Sequence, residues 1–268
     1  MKKTTQEITL SITELELIAT YDPVSDVDPR EAVAQYRRVM KYTHRHPDKG
    51  SSAVSTAVEL PRGRIRSWVD SGGKPDAVRA IETAASLGWL DATEIDRQIA
   101  FATLLAGIFS GGSIAERNFN PSWSTDDETV DTFIEKALTD LGCGFTVRHE
   151  DSDTRSTEIV PAEYTSLLGR VLVAMGAPIG SKVEDTLSIP DRLVEAADPV
   201  RERFVEIYLR NRIGIVDGRN AASILEDRPS SFRRELAALC RSVGVEAHNR
   251  DRYVVVTLDS IPFAIETY

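Results

Sequence analysis

The 268 residues carry a formal net charge of −10 with 41% hydrophobic and 28% charged residues, a balance that excludes a disordered or collagen-like chain and fits folded domains. No run approaches the ~20 apolar residues of a membrane helix, and Met1-Lys2-Lys3 leads into polar residues rather than a signal-peptide core, so a cytoplasmic location and no membrane partner are expected. Cys143 and Cys240 are too few for a disulfide framework or a cysteine zinc site, and their apolar contexts suit buried thiols.

Taken in chain order, residues 12–19 form an apolar stretch with helical character. Asp28 and Pro29 read as the N-cap and first position of a helix whose apolar residues Val33, Tyr36, Val39 and Met40 recur at helical spacing, up to a break at His44-Arg45-His46-Pro47. Beyond Gly50 come two short helical patterns and a third, 75–87, opened by Pro75 and closed by Gly88. Residues 1–91 are therefore expected to be an all-α domain.

From residue 92 the pattern changes to helices alternating with strand pairs. Residues 95–109, 164–175, 200–213 and 231–243 read as helices, the third behind the start signal Asp198-Pro199. Residues 145–148, 156–160, 245–248 and 253–258 read as strands, the last two as a hairpin. Superposing Gly142 on Gly244, an offset of 102, pairs Val130 with Phe232, Ile134 with Leu236, Ala137 with Leu239 and Leu141 with Val243. An internal duplication explains this most simply, with halves at about 92–196 and 197–268. The expected class is α+β, an all-α domain followed by a pseudo-symmetric αββαββα duplication.

The charge is unevenly placed. Between Arg30 and Glu82 eleven basic residues face six acidic ones, +5, which leaves −15 for the rest. A basic module inside an acidic protein is an electrostatic footprint for a polyanion. Only seven of the 32 basic residues are Lys, and acids outnumber bases, a bias that resembles proteins of salt-loving archaea.

Within the basic module, residues 54–69 have the spacing of a helix-turn-helix, with Val54, Val58, Leu60, Ile65 and Trp68 facing inward. The groove-facing positions are then Arg62, Gly63, Arg64, Arg66 and Ser67: guanidinium forks that bond phosphate or the guanine edge, beside small residues that permit close approach. Lys41, Arg45, Lys74 and Arg79 are candidates for flanking phosphate contacts. Glu59 occupies the turn position where Gly is usual, and a side chain there is strained if φ is positive. His44 and His46 lack a nearby Cys and suit a helix end or a phosphate better than a metal.

The stretch Leu105-Ala106-Gly107-Ile108-Phe109-Ser110-Gly111-Gly112-Ser113-Ile114 resembles the helix end that names the LAGLIDADG family. Residues 168–182, from Leu168-Gly169-Arg170 to Gly180-Ser181-Lys182, resemble the L-x-R-L-L-x-x-L-G-x-P-x-G-x-K stretch of its intein-type homing endonucleases, and Ile189-Pro190 follows as in that family. A second motif helix is then Phe204 to Gly214. The resemblance implies two pseudo-symmetric halves, each with a core helix and a saddle of strands that lies on DNA. It also implies an active site of one carboxylate from each helix end, binding divalent metal. Here the first copy is one residue short, with Ser110-Gly111 where the acids belong, and the second aligns Arg210 and Arg212 with the acidic positions. Two arginines there repel Mg²⁺ while attracting phosphate. Glu116, Glu206 and Asp217 lie nearby as substitute acids but are better read as solvated, and Lys182, matching the family's lysine, either touches DNA or faces solvent.

A helix-turn-helix joined to a decayed LAGLIDADG fold is similar in its parts to the WhiA-type bacterial regulators. The expectation is a non-catalytic, sequence-specific binder of double-stranded DNA, a transcriptional regulator without metal or cofactor. The alternatives are an active site-specific endonuclease, and a helix-turn-helix protein whose region 92–268 mediates partner or self-association. DNA contact by that acidic region requires Arg148, Arg155, Arg210, Arg212, Arg219, Arg250 and Arg252 to gather on one concave face.

Overall fold

A computed structural model describes residues 9–23, 27–124, 127–149, 156–180, 182, 187–214 and 220–265. The architecture is mixed α+β, and the chain divides into two compact units. The first is Thr13–Leu90. The second begins at Asp91 and also takes the described residues 9–12, which lie with it and not with the helices that follow them. Ile12 accepts a hydrogen bond from the Asp91 N–H at 2.9 Å, and the Leu10 N–H reaches Gln98 Oε1 at 3.0 Å.

The first unit contains α1 (Glu14–Ile18), α2 (Pro29–Arg45), α3 (Ser51–Val58), α4 (Arg62–Asp70) and α5 (Asp76–Ser86). Thr13 and Glu16 close a capping box at α1. Asp28 caps α2 by accepting from the Arg30 and Glu31 N–H groups, with Pro29 at the first turn where its missing donor is harmless. Val39, Val54, Val58, Leu60 and Ile65 form one buried cluster, with Trp68 packed against it. Ile18, Val33, Tyr36, Ala77, Val78 and Ile81 form a second.

The second unit runs α6 (Ile95–Ser110), β1 (Ser113–Ile114), β2 (Pro121–Ser122), α7 (Glu128–Asp140), β3 (Phe145–Arg148), β4 (Glu158–Pro161), α8 (Thr165–Ala174), α9 (Asp191–Val194), α10 (Asp198–Arg212), β5 (Ala221–Leu225), α11 (Ser230–Ser242), β6 (Ala247–Arg250) and β7 (Tyr253–Thr257). The pairs β1-β2 and β3-β4 are antiparallel, and a Trp123↔Ile159 bridge links the chain just after β2 to β4. The later strands pair antiparallel in the order β5-β7-β6, with a Gly214↔Ser223 bridge at the β5 edge. Two strands, a helix and two strands follow α6 up to β4, whereas one strand, a helix and two strands follow α10. The bounds of α7 and α11, and those of β3 and β6, differ by 102 at each end, since 230 − 128 and 247 − 145 are both 102. Gly142 and Gly244 both adopt positive φ, 78° and 87°, where the chain leaves those helices in the left-handed region that favours glycine.

Helices α6 and α10 pack on one another more extensively than any other helix pair among the described residues. From Ala100 to Ser110 every residue of α6 is buried, so it is a central core helix rather than a half-exposed one. The strands β1, β2 and β5 and the one-turn α9 add to the elements expected from sequence, and the strand expected at 156–160 begins at Glu158.

Candidate nucleic-acid interface

In the first unit α3 and α4 meet through a three-residue turn. Glu59 sits there at φ 54° and ψ 42°, the left-handed region, where a side chain costs roughly 1 to 2 kcal/mol. Three contacts hold the turn in place. The Ser55 hydroxyl donates to the Leu60 carbonyl at 2.6 Å, the Leu60 N–H donates to the Ser55 carbonyl at 3.2 Å, and the Arg38 guanidinium donates to the Val58 carbonyl at 2.8 Å. At the far end Asp70 of α4 accepts from the Ser51 hydroxyl at 2.8 Å and from its N–H at 3.3 Å, so the two helices are tied at both ends.

This packing buries Ile65 and turns Arg62, Gly63, Arg66, Ser67 and Asp70 outward. A Cβ on Gly63 would meet nothing within 4 Å, so the surface there is open to close approach. Arg66 is 71% exposed, with Asp70 3.9 Å away, and Arg62 rests its Nε on the Ser51 hydroxyl at 3.2 Å. Arg64 does not share this face: it is half-buried and donates to Gln35 Oε1 at 3.1 Å, held back against α2. One helical residue is a 100° turn, which separates Arg64 from its neighbours.

Of the flanking candidates, Lys41 and Arg45 are exposed on α2 and, with Arg38, line a concavity of about 290 Å³ that Tyr42, Ala57, Val58 and Glu59 complete. Lys74 and Arg79 are engaged within their own unit. Lys74 pairs with Glu82 at 2.6 Å, which raises its pKa, and Arg79 pairs with Asp76 while donating to the Lys74 carbonyl at 2.9 Å.

In the second unit α6 and α10 come together at their C-terminal ends. The facing residues are Ser110 and Asn211, the Asn211 amide donating to the Ser110 hydroxyl at 2.9 Å. Arg210 and Arg212, one position to either side, therefore leave the Ser110–Asn211 contact in different directions. Arg210 has only 9% of its side chain exposed, pairs with Glu206 at 3.2 Å and stacks 5.3 Å from the Phe263 ring centre, so it is not presented to a phosphate. Arg212 is about one-third exposed, donates to the Leu225 carbonyl at 2.9 Å and lies 3.8 Å from Glu226.

Beneath Arg212 is a buried network that sequence reading missed. Glu226 is 1% exposed and Arg228 6%, their charges 3.2 Å apart. The Tyr208 hydroxyl donates to Glu226 and accepts from Arg228 at 2.9 Å, and burial pushes its pKa well up. Arg228 also donates to the Phe109 carbonyl, one of the acceptors that the last turn of α6 leaves unpaired, and thereby caps that helix with positive charge. Arg233 donates to the carbonyls of Glu226 and Arg228. Lys182 donates to the Gly112 carbonyl just past α6. Only Arg212 and Lys182 of this group had been singled out, because the others meet across long sequence separations and belong to no spacing pattern.

The remaining arginines of the second unit do not form one set. Arg148 and Arg250 are exposed and end β3 and β6, 102 positions apart, while Arg252 pairs with Asp227. Arg155 and Arg219, like Asp217, lie outside the described residues. Cys143 and Cys240 are buried thiols whose pKa burial pushes up to about 12. Among the described residues no helix is long and apolar enough to cross a membrane, and no three His, Cys, Asp or Glu side chains cluster to hold a metal.

No protein-family model matches this chain, and no curated protein is detectably similar to it.

Proposed function

We propose that this is a non-catalytic, sequence-specific double-stranded-DNA-binding protein, a transcriptional regulator in which α3 and α4 act as a helix-turn-helix and α4 enters the major groove. The observation that carries this reading is the outward stripe of Arg62, Gly63, Arg66 and Ser67 on a short helix fixed at both ends to its partner. Arg66 and Arg62 have the length and donor fork for base edges or phosphates, and the open space over Gly63 admits a backbone or a base. Lys41 and Arg45 supply phosphate contacts that set register without specifying sequence. Arg64 acts in this scheme as a strut to Gln35.

The second unit is read as a LAGLIDADG-like scaffold adapted to a role without cleavage. The spacing of 102 that relates α7 to α11 and β3 to β6, and the packing of α6 on α10, support that reading. So does the replacement of acids there by Ser110, Gly111, Asn211 and Arg212, a neutral and cationic set that disfavours divalent metal. A second role for this unit, partner or self-association, is favoured by one observation: Leu225 and Tyr253 are opposite each other in register on β5 and β7 and are 47% and 43% exposed.

Selection from a random duplex pool followed by gel shift tests the proposal. The full chain is expected to enrich one site, and Arg62→Ala with Arg66→Ala to weaken binding to it by about 30-fold or more, roughly 1 to 3 kcal/mol per arginine. Unchanged binding by the double variant removes α4 from the interface. Supercoiled DNA carrying the site should remain uncut with Mg²⁺ or Mn²⁺; a specific linear product would establish an endonuclease instead.

A further inference from the structure

The junction of α6 and α10 gathers more positive charge than it can neutralise. Among the described residues Arg212 and Arg228 pair with the buried carboxylate of Glu226, Arg233 donates to the backbone carbonyl of Glu226, and Lys182 lies within electrostatic reach of Arg212, Arg228 and Glu226, four cations to one anion. Glu226 already accepts from Tyr208 and is paired with Arg228, so it has little left to offer the others. Two guanidinium nitrogens in the group, Arg212 Nε and Arg233 Nε, are buried with no hydrogen-bond partner among the described residues. Buried charged donors are ordinarily satisfied, and leaving them unpaired is expensive. Lys182 adds an ammonium whose described partner is the neutral Gly112 carbonyl, and Arg212 keeps about a third of its side chain in solvent, which gives the cluster an open side.

We propose that the C-terminal junction of α6 and α10 is a phosphate-binding site in which Lys182 and Arg212 hold the oxyanion directly, without an intervening divalent metal. Arg228 and Arg233 contribute field rather than contact: the donors of Arg228 are committed to Tyr208, Glu226 and the Phe109 carbonyl, Arg233 Nη1 is held by the carbonyls of Glu226 and Arg228, and its unpaired Nε is buried. The guanidinium fork and the point charge of an ammonium are complementary for such a ligand: one fixes its orientation, the other follows it. Burial and the neighbouring Arg228 and Arg212 lower the Lys182 pKa to about 8, and an anion bound beside the ammonium raises it again. The phosphate belongs either to a DNA backbone or to a free phosphate compound. The inference goes beyond the α4 reading and does not depend on it.

The test is isothermal titration of the full chain with orthophosphate near neutral pH. Saturable binding is expected, weakened roughly tenfold or more by Lys182→Met and by Arg212→Met and retained by Lys182→Arg, which preserves the charge. No saturation in the wild type, or binding undiminished from the wild type in both Met variants, overturns the site. Near-UV circular dichroism of each variant confirms that its fold is intact, and the Lys182→Arg comparison stands even if a Met variant fails to fold: loss of binding in folded Lys182→Arg also overturns direct charge contact. Repeating the titration with saturating duplex DNA identifies the source within the proposal. Displacement of orthophosphate assigns the site to backbone phosphodiester, and undisturbed binding assigns it to a free phosphate compound. The Arg62→Ala/Arg66→Ala variant should bind orthophosphate as the wild type does, so failure of this site and failure of α4 are read separately.

Discussion

Burial beside Arg228 and Arg212 lowers the Lys182 ammonium from 10.5 to about 8, with Glu226 acting in the opposite sense. The folded protein therefore binds this proton less tightly than the unfolded chain does. Below about 8 both states carry the charge, and the folded state bears the full penalty. Between about 8 and 10.5 the folded state releases the proton first, so this residue's contribution to stability rises with pH across that window. Urea unfolding midpoints should show that rise in the wild type and lack it in Lys182→Met. Identical pH profiles for the two proteins would mean that Lys182 is not desolvated in the folded state. Glu59 illustrates a different kind of tension at the same scale. Its left-handed backbone is held by Ser55 and Arg38, and it places the one acid in a concavity otherwise lined by Arg38, Lys41 and Arg45. A carboxylate there moderates whatever phosphate affinity the three cations supply.

At the scale of elements, α6 depends on a close approach to Trp123. A Cβ at Gly107 would lie 2.5 Å from the ring's Cδ1 and 2.8 Å from its Nε1, and that ring is fully buried with its N–H donated to the Leu104 carbonyl at 3.0 Å. Gly107→Ala should destabilise the second unit by roughly 1 to 3 kcal/mol through overpacking, against the ~1 kcal/mol that alanine's helix propensity contributes in its favour. A neutral or stabilising result by chemical denaturation would show that the indole has room to move. Much of this level was legible in the chain. Capping and period placed α2, α5, α10 and α11 within a residue or two, and the inward set Val54, Val58, Leu60, Ile65 and Trp68 is the set that packs together. What escaped had physical reasons. The strands β1 and β2 are two residues long, too short for alternation to register, and β5 opens on two alanines. At the junction the residue that meets Ser110 is Asn211, between the two arginines that the sequence aligns with the acidic positions. One residue on a helix is a 100° turn, so Arg210 turns away to Glu206.

For the whole molecule, charge segregation bears on the proposed binding to DNA. The stretch from Arg30 to Glu82 carries +5 within a chain of −10, so in that complex the acidic remainder would repel the polyanion that the basic part attracts. Binding should therefore be strongly dependent on salt. If Arg62, Arg66, Lys41 and Arg45 each neutralise one phosphate, log K falls against log salt with a slope of roughly −4, and each arginine removed lowers the slope by about one. Measured by fluorescence anisotropy, a slope near zero would exclude phosphate contact by these side chains, and a slope well beyond −4 would bring the second unit into the interface. Arg148 and Arg250 stand first among the residues to test in that event, since they are exposed at matching ends of β3 and β6.

The glycines after α6 bear on what this chain can become. A Cβ at Gly111 would sit 2.5 Å from the Ser124 carbonyl oxygen and 2.6 Å from the Asn211 amide, and one at Gly112 would press into the Ser122 carbonyl. The volume that an acidic side chain would fill is occupied by backbone and by the opposing helix end. Gly111→Asp therefore supplies a carboxylate only by displacing the Ser124 carbonyl and the Asn211 amide. At this position the absence of an acid is kept by steric closure as well as by composition.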